Sequence, residues 1–413
     1  MRSDVERIKM DIELLAAFTA TPGAGVTRYS FSDEDRKARA YIRGEMESAG
    51  LRTREDGAGN LFGRREGQRD DAPPVVVGSH FDSVPNGGAF DGDAGVSTAL
   101  EIARILRDHD VVTEKPMEFA ALVEEEGARF ACGLYGSRAM TGLLGDTHLD
   151  AFKDRDGRTL RSVLRDSGFA PERFATARRA PGSIAAFLEL HIEQGPVLET
   201  EGIDLGVVSA IVGVSQFEAA FAGRADHAGS TPMTLRKDAL AAAAEVVLAL
   251  QAAARREGEG TVGTVGKMAV SPGGANIVPE TATFTMDIRS FDESRMTRVI
   301  DDMKTLMGRI AARDGLGWRM DEKVLIPPVA MHPEIVGAFE DSARGRGYSA
   351  RRIVSGAGHD AMVMSRLAPV GMVFVPSRGG RSHCPEEWTD YADIAKGADI
   401  MLDAALHLAV RIA

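Results

Sequence analysis

The sequence predicts an α/β protein in two parts: a larger domain built on a mixed sheet with helices on both faces, and a smaller domain inserted into it. Three observations carry this. Apolar, strand-like runs that end at His, Asp or Glu recur four times. A segment with helical spacing follows the first of them. Between about 212 and 326 the order changes to strand–helix–strand–strand–helix–strand, and Ile326-Pro327-Pro328 then breaks it. The larger domain is therefore expected over 1–211 and 327–413, the insert over 212–326.

The first run is Val75-Val76-Val77-Gly78-Ser79-His80, a buried strand opening into a loop that carries Asp82 and Asp91. Val96, Leu100, Ala103 and Leu106 then fall at helical spacing. Helix after strand is the order of a parallel sheet with helices on its faces. Phe119–Val123 leads into Glu124-Glu125-Glu126, Ala185–Leu190 into His191, and Gly371–Val375 through a glycine-rich turn to His383. Sites in open α/β sheets form outside the carboxyl ends of the strands, so these side chains are aimed at one place.

In the insert, 214–223 reads as a strand, 226–232 as a turn, and 238–256 as a helix. A strand at 261–270 is followed by a Pro-Gly-Gly turn. Thr281–Arg289 alternates like a half-buried strand, 292–313 reads as a helix, and 317–326 as the last strand. That order is βαββαβ, the ferredoxin-like arrangement.

Composition narrows the function. A net charge of −12 argues against a nucleic-acid partner, which needs a basic face. Two cysteines, Cys132 and Cys384, are too few for a disulfide framework and fit a reducing cytoplasm. The charged start is unlike a signal peptide, and no apolar run approaches the ~18 residues of a membrane span. The His, Asp and Glu side chains that these runs deliver, imidazoles mixed with carboxylates, suit Zn²⁺, Mn²⁺, Co²⁺ or Ni²⁺ better than Mg²⁺ or Ca²⁺. A lone His or acid pair in a loop is usually just solvated or hydrogen-bonded; the recurrence on separate strands favours a metal site. Asp82, two residues past His80, is placed to accept that ring's other N–H and fix its tautomer. Strand alternation would aim Glu124 away from Glu125. Cys384 reads as a packed thiol rather than a nucleophile, since no activating neighbours are visible. His109, His148, His332 and His407 are read as surface or core residues.

The segments GSHFDSVPNGGAFDGDAGV, EEEGARF, HIEQGPVLE, DHAGSTPM, ANIVPETATFTMDIRS, SGAGHDAM and SRGGRSHCPEEW, in this order from 78 to 388, resemble the M20 metallopeptidase clan. Within it they look most like the hydantoinase/carbamoylase branch: N-carbamoyl-L-amino-acid hydrolases, β-ureidopropionases and allantoate amidohydrolases. The resemblance implies a zinc-peptidase-like catalytic domain with a lid and dimerisation insert, in a homodimer with two divalent ions per subunit. It implies that Asp91 bridges the ions, that His80 and His191 complete one, and that Glu126 and His383 complete the other. Glu125 would act as general base, taking a proton from the water that bridges the ions and returning it to the leaving nitrogen.

On the substrate side the resemblance implies Gln194, His227, Asn276 and Arg289. Arg289 would clamp a carboxylate, and His227 would stabilise the developing oxyanion. His227 and Asn276 would come from the partner subunit. Gly358, in Gly356-Ala357-Gly358, would line the pocket through its backbone; His359 is given no role. For Arg289 a cross-strand ion pair with Asp287 or Glu280 is the bland competitor. The expected activity is hydrolysis of N-carbamoyl-L-amino acids to amino acid, CO₂ and ammonia. Allantoate amidohydrolase and β-ureidopropionase remain alternatives. An M20 aminoacylase or peptidase, or a non-catalytic binding protein on the same fold, stands further off.

Overall fold

Strands Val75–His80, Met117–Leu122, Ala186–Ile192 and Val370–Val375 are buried at every residue. Strands without in–out alternation are covered on both faces. In the computed structural model, which describes residues 1–410, these four lie side by side and parallel, in the order 117–122, 75–80, 186–192, 370–375. Leu61–Arg65 adds antiparallel beside 117–122, and Leu205–Ile211 beside 370–375. The sheet is mixed, with its parallel strands at the centre.

The helix Asp93–Asp108 follows the 75–80 strand and packs against it and against Tyr391–Val410. Its first turns lie so close to the sheet that a Cβ on Gly95 would stand 2.4 Å from the Leu190 carbonyl and 2.5 Å from Ser79 Cβ. Only glycine fits there. Beneath the strand ends sits a buried cation, Arg28, 1% exposed. It donates to the carbonyls of Phe81 and Leu15, each at 2.6 Å, and pairs with Asp93. A buried charge this fully bonded is tolerated where a lone one would not be.

Two units divide the chain. The larger comprises Met1–Ser209, Met331–Ile353 and His359–Ala413 of the chain; the smaller comprises Ala210–Ala330 and Val354–Gly358. The short second piece carries no hydrophobic period, so the sequence gives no sign of it.

The smaller unit is a five-stranded antiparallel sheet with two helices. Gly213–Ala222 lies between Thr281–Ser290 and Gly317–Ile326. Burial alternates strictly along Thr281–Ser290, so one face is packed. Phe217, Phe221, Phe284, Met286 and Ile288 meet Val246 and Leu250 of one helix and Val299, Met303 and Met307 of the other. The strand expected over 261–270 is instead two. Thr261–Thr264 pairs with 287–290, and Met268–Ser271 with 281–284. At the break the Lys267 N–H turns to the Thr285 hydroxyl, 3.2 Å away, in place of a backbone carbonyl. Among the described residues no helix is long and apolar enough to cross a membrane.

Candidate metal centre

His80 is the last residue of its strand and His191 the sixth of its own. Both rings are buried and fixed from behind. The Nδ1 atom of His80 lies 3.1 Å from the Asp82 carbonyl, and that of His191 3.0 Å from the Ile192 carbonyl. A carbonyl only accepts, so each Nδ1 carries the proton and each Nε2 faces forward. The two Nε2 atoms are 3.5 Å apart, and Asp91 Oδ1 is 3.3 and 3.2 Å from them. On the other oxygen, Asp91 Oδ2 is 3.5 Å from His383 Nε2, which is 3.3 Å from Glu126 Oε1. Two three-residue clusters thus share one carboxylate: His80, Asp91 and His191; and Asp91, Glu126 and His383.

This donor set fits divalent metal. In each cluster unprotonated ring nitrogens and carboxylate oxygens would converge with no hydrogen between them, an arrangement only a cation relieves. Glu126 Oε1 is buried without a hydrogen-bond partner among the described residues. In the absence of metal, protons supply the charge. Burial opposes it, but Glu125 and Asp91 hold the His80 imidazole well above its ordinary value. Asp91 and Glu126 push His383 up to about 11. Asp91 itself is held well below the carboxylate range by His191, His383 and His80, against the opposing effect of burial.

The loop between the ligands depends on a glycine. Gly92 has φ +69°, and a Cβ there would lie 2.5 Å from the His80 ring. Glu125 Oε2 stands 3.9 Å from His80 Nε2. Burial pushes its carboxyl well above the ordinary range, with Glu126, Asp360 and Asp82 adding to the effect. Gln194 Nε2 donates to Asp91 Oδ2 at 2.6 Å.

Asp82 differs from expectation. Its carboxylate is 3.7 Å from His80 Nδ1, whereas its backbone oxygen makes the bond. The carboxylate instead accepts from the Glu125 and Glu126 amides, at 2.9 and 3.2 Å. It therefore places the acidic pair rather than the imidazole. Glu124 is turned away for a different reason than strand alternation. The strand ends at Leu122, Glu124 has φ +56°, and its carboxylate accepts the Arg129 and Phe130 amides.

His227, Asn276, Arg289 and Gly358 belong to the smaller unit. His227 and Asn276 are exposed neighbours on a two-stranded piece, where His227 pairs with Ile277 and the Ala228 amide donates to the Asn276 carbonyl. His227 Nδ1 accepts from the Gly229 and Ser230 amides at 3.0 and 3.1 Å, so in the neutral ring Nε2 carries the proton. Arg289 has its bland partner: Nε donates to Asp287 Oδ1 at 2.9 Å, and Nη1 to the Gly356 carbonyl at 3.2 Å. Asp287 is also held by Gln216.

Sequence reasoning missed a buried polar layer beneath the ligands. Glu189, in the middle of an apolar strand, accepts from Ser79 Oγ and the Ala361 amide. Asp360 accepts from Ser137 Oγ at 2.6 Å. His359 packs edge-on to His191, ring centroids 4.5 Å apart, and is kept neutral by burial and by His191. Glu189 had one legible signal: an acid inside a Phe-Leu-x-Leu run demands a buried partner.

A mixed α/β fold bearing two His–carboxylate clusters joined at one aspartate defines a metal-competent hydrolase. The model of the peptidase family M20/M25/M40 matches residues 76–407. The N-carbamoyl-L-amino-acid amidohydrolase of Paenarthrobacter aurescens is 46% identical over 401 residues, 97% of each chain. The allantoate amidohydrolase of Bacillus subtilis is 37% identical over 96% of each. Among solved structures, a hydantoinase/carbamoylase-family amidase from Burkholderia multivorans superposes with a TM-score of 0.91 at 37% identity, covering 100% of this chain and 99% of that one. The chain belongs to the M20 family, in its hydantoinase/carbamoylase branch, and is a hydrolase of amide C–N bonds.

Proposed function

We propose that the chain hydrolyses N-carbamoyl-L-amino acids to the amino acid, CO₂ and ammonia. The observation that carries the hydrolytic part is Asp91, whose two oxygens serve the two clusters, with Glu125 beside them. The choice of substrate is supported by the 46%-identical relative, an N-carbamoyl-L-amino-acid amidohydrolase. We assign one divalent ion to His80, His191 and Asp91 and a second to Asp91, Glu126 and His383, drawn from Zn²⁺, Mn²⁺, Co²⁺ and Ni²⁺. When bound, such an ion pair supplies Lewis acidity toward a carbonyl and makes water nucleophilic near neutral pH.

The chain's own groups then divide the work. Glu125 accepts the proton of the attacking water and returns it to the leaving nitrogen. Asp82 keeps Glu125 at this station through the backbone amide it holds. His227, with Nδ1 already accepting two amides, has Nε2–H free in tautomeric terms to donate to the developing oxyanion. Arg289 anchors the substrate carboxylate, with Asp287 holding the guanidinium plane in place for it; Gln194, Asn276 and the Gly358 backbone complete the substrate contacts. His227 and Asn276 act in the partner subunit of a homodimer. Exposed apolar side chains of the same unit, Met233 (76% exposed), Leu235 (62%) and Leu248 (70%), support such an interface.

The test is a turnover screen of Mn²⁺- and Co²⁺-loaded protein against N-carbamoyl-L-amino acids, N-carbamoyl-β-alanine, allantoate, N-acetyl amino acids and dipeptides, with ammonia and amine release followed separately. Carbamoyl amino acids are expected to be turned over fastest, with equal release of both products. Preference for allantoate or for a substrate yielding no ammonia would overturn the assignment.

A further inference from the structure

We propose that Glu387 is a positioning residue that sets the geometry of the Asp91–Glu126–His383 cluster, and of that cluster far more than of its neighbour. The inference rests on the two-ion reading above.

Glu387 is 3% exposed and works at both oxygens. Its Oε1 accepts the amides of Phe90 and Asp91, each at 3.0 Å. Its Oε2 accepts Ser382 Oγ at 2.8 Å and the His383 amide at 3.3 Å. One carboxylate therefore ties the backbone of the shared ligand, Asp91, to the backbone of His383, almost three hundred residues further along the chain. Ser382 extends the tie, since its Oγ also lies 2.9 Å from Asp91 Oδ2.

The two clusters differ in how much they need such a tie. The side chains of His80 and His191 are 2% and 1% exposed and project from buried strands, with each Nδ1 held by a carbonyl. His383 is 48% exposed, follows a glycine-rich loop, and has the left-handed φ of +57° that a residue of its size seldom adopts. Its place is set by the loop, and the loop is fastened by Glu387. Behind the carboxylate, Trp388 and Tyr391 close round Phe90, with ring centroids 5.2 and 5.7 Å away. Gly88 leaves the room: a Cβ there would lie 2.1 Å from Glu387 Oε1 and 2.3 Å from Glu387 Cβ.

The chemistry requires a carboxylate. Three of the four partners are backbone amides, which can only donate, and each oxygen faces at least one of them, so both oxygens must accept. Glu387→Gln is nearly isosteric, yet in either amide orientation it turns an NH₂ toward at least one backbone N–H and releases one of the two loops. Gly88→Ala makes an independent test. Gly88 is not in the left-handed region, so alanine is allowed on backbone grounds and the damage falls on Glu387.

Wild type, Glu387→Gln and Gly88→Ala would be loaded with Zn²⁺ and dialysed against graded chelator, with metal per chain measured by atomic emission and folding followed by circular dichroism. Wild type should hold two ions. Each variant should keep one at wild-type affinity and bind the second at least about tenfold more weakly, as outer partners of metal ligands typically require. Adding His383→Ala to Glu387→Gln should cause no further loss of the tight ion, whereas adding His191→Ala should remove it. Two ions at wild-type affinity in Glu387→Gln, or equal weakening of both, would overturn the proposal. So would collapse of Glu387→Gln together with an unaffected, two-ion Gly88→Ala. A wild type that binds fewer than two ions would instead overturn the two-ion reading, and this inference with it.

Discussion

The two units of the chain solve opposite problems. The larger buries its charge: Arg28, Asp93, Asp82, Glu189 and Asp360 are each no more than 2% exposed, and each makes at least one hydrogen bond to a neighbouring side chain or amide. The smaller buries almost none. Its core is Phe, Met, Val, Leu, Ile and Ala, and its assigned residues sit at the surface on a two-stranded piece and at a strand end. The first arrangement moves pKa values and holds ligands; the second leaves its donors at the surface. A site is chemically competent where burial forces titratable groups to answer one another. By that measure the coupled titratable groups lie in the larger unit, and the roles proposed for the smaller are those of surface donors, His227 toward the oxyanion and Arg289 toward the carboxylate.

The sharpest test of that division is Glu125→Gln, which keeps size and hydrogen bonding but removes the base. Activity should fall by about 10²–10⁴-fold, with metal content unchanged, because Glu125 belongs to neither ligand cluster. Near-normal turnover with intact metal would move the proton chemistry to another group.

The complement of this test breaks the dimer assignment if it is wrong. Glu125→Gln subunits still carry His227, and His227→Ala subunits still carry Glu125. If His227 acts in the partner, a mixed dimer has one site with both lesions and one with neither. Remixed variants should then recover about a quarter of wild-type activity, since half of the random dimers are mixed and each has one intact site. Activity no higher than the mean of the separate variants, with subunit exchange verified, would place His227 in its own subunit's site.

The same contrast explains what could be read in the sequence. His80, His191, His383 and the run Glu124-Glu125-Glu126 were legible because each follows an apolar strand, whereas the choice of Glu126 within that run and of Asp91 as the shared ligand came from the family resemblance; the five fall into two clusters that share Asp91. The βαββαβ order was legible from period alone, apart from the strand at 261–270, which is two strands separated where the Lys267 amide meets a side-chain hydroxyl of another strand. What could not be read is which atom of a residue does the work. Asp82 was placed correctly as a neighbour of His80, but its carboxylate serves the Glu125 and Glu126 amides instead. Glu387 and Asp360 were invisible because their meaning comes from partners hundreds of residues away. For Arg289 the sequence offered two readings, and the ion pair with Asp287 is present in the smaller unit.

That pair makes Arg289 informative. An anchor remote from the scissile bond contributes uniform binding, so Arg289→Ala should raise KM with kcat little changed. The loss should be on the order of 1.5–3 kcal/mol, the range for hydrogen bonds to charged groups. Carbamoyl amino amides, which lack the carboxylate, should be poor substrates for wild type and no worse for the variant. If instead Arg289 only closes the ion pair with Asp287, the variant will lose stability and keep its preference for carboxylates.

The smallest effect concerns the two thiols, which the division also separates from the chemistry. Cys132 is 2% exposed, and burial pushes its thiol up to about 11 from an ordinary value of 9.0, Arg138 opposing and Glu124 adding. At pH 8 about one Cys132 in a thousand is thiolate, the only form that attacks. Native protein treated with a thiol reagent at pH 8 should therefore modify half-buried Cys384 and spare Cys132 until unfolded. Cys384→Ser should abolish the fast phase while leaving turnover near wild type, since Cys384 contacts Arg381 and no ligand cluster includes it. The sign of the linkage supplies a second check. The folded state holds the Cys132 proton more tightly than the unfolded chain, so its contribution to stability is complete below about pH 9 and is lost as pH rises toward 11. Cys132→Ala should flatten that part of the stability–pH curve. Loss of activity on blocking Cys384, with metal retained, would bring a thiol back into the reaction and break the assignment of all proton transfer to Glu125.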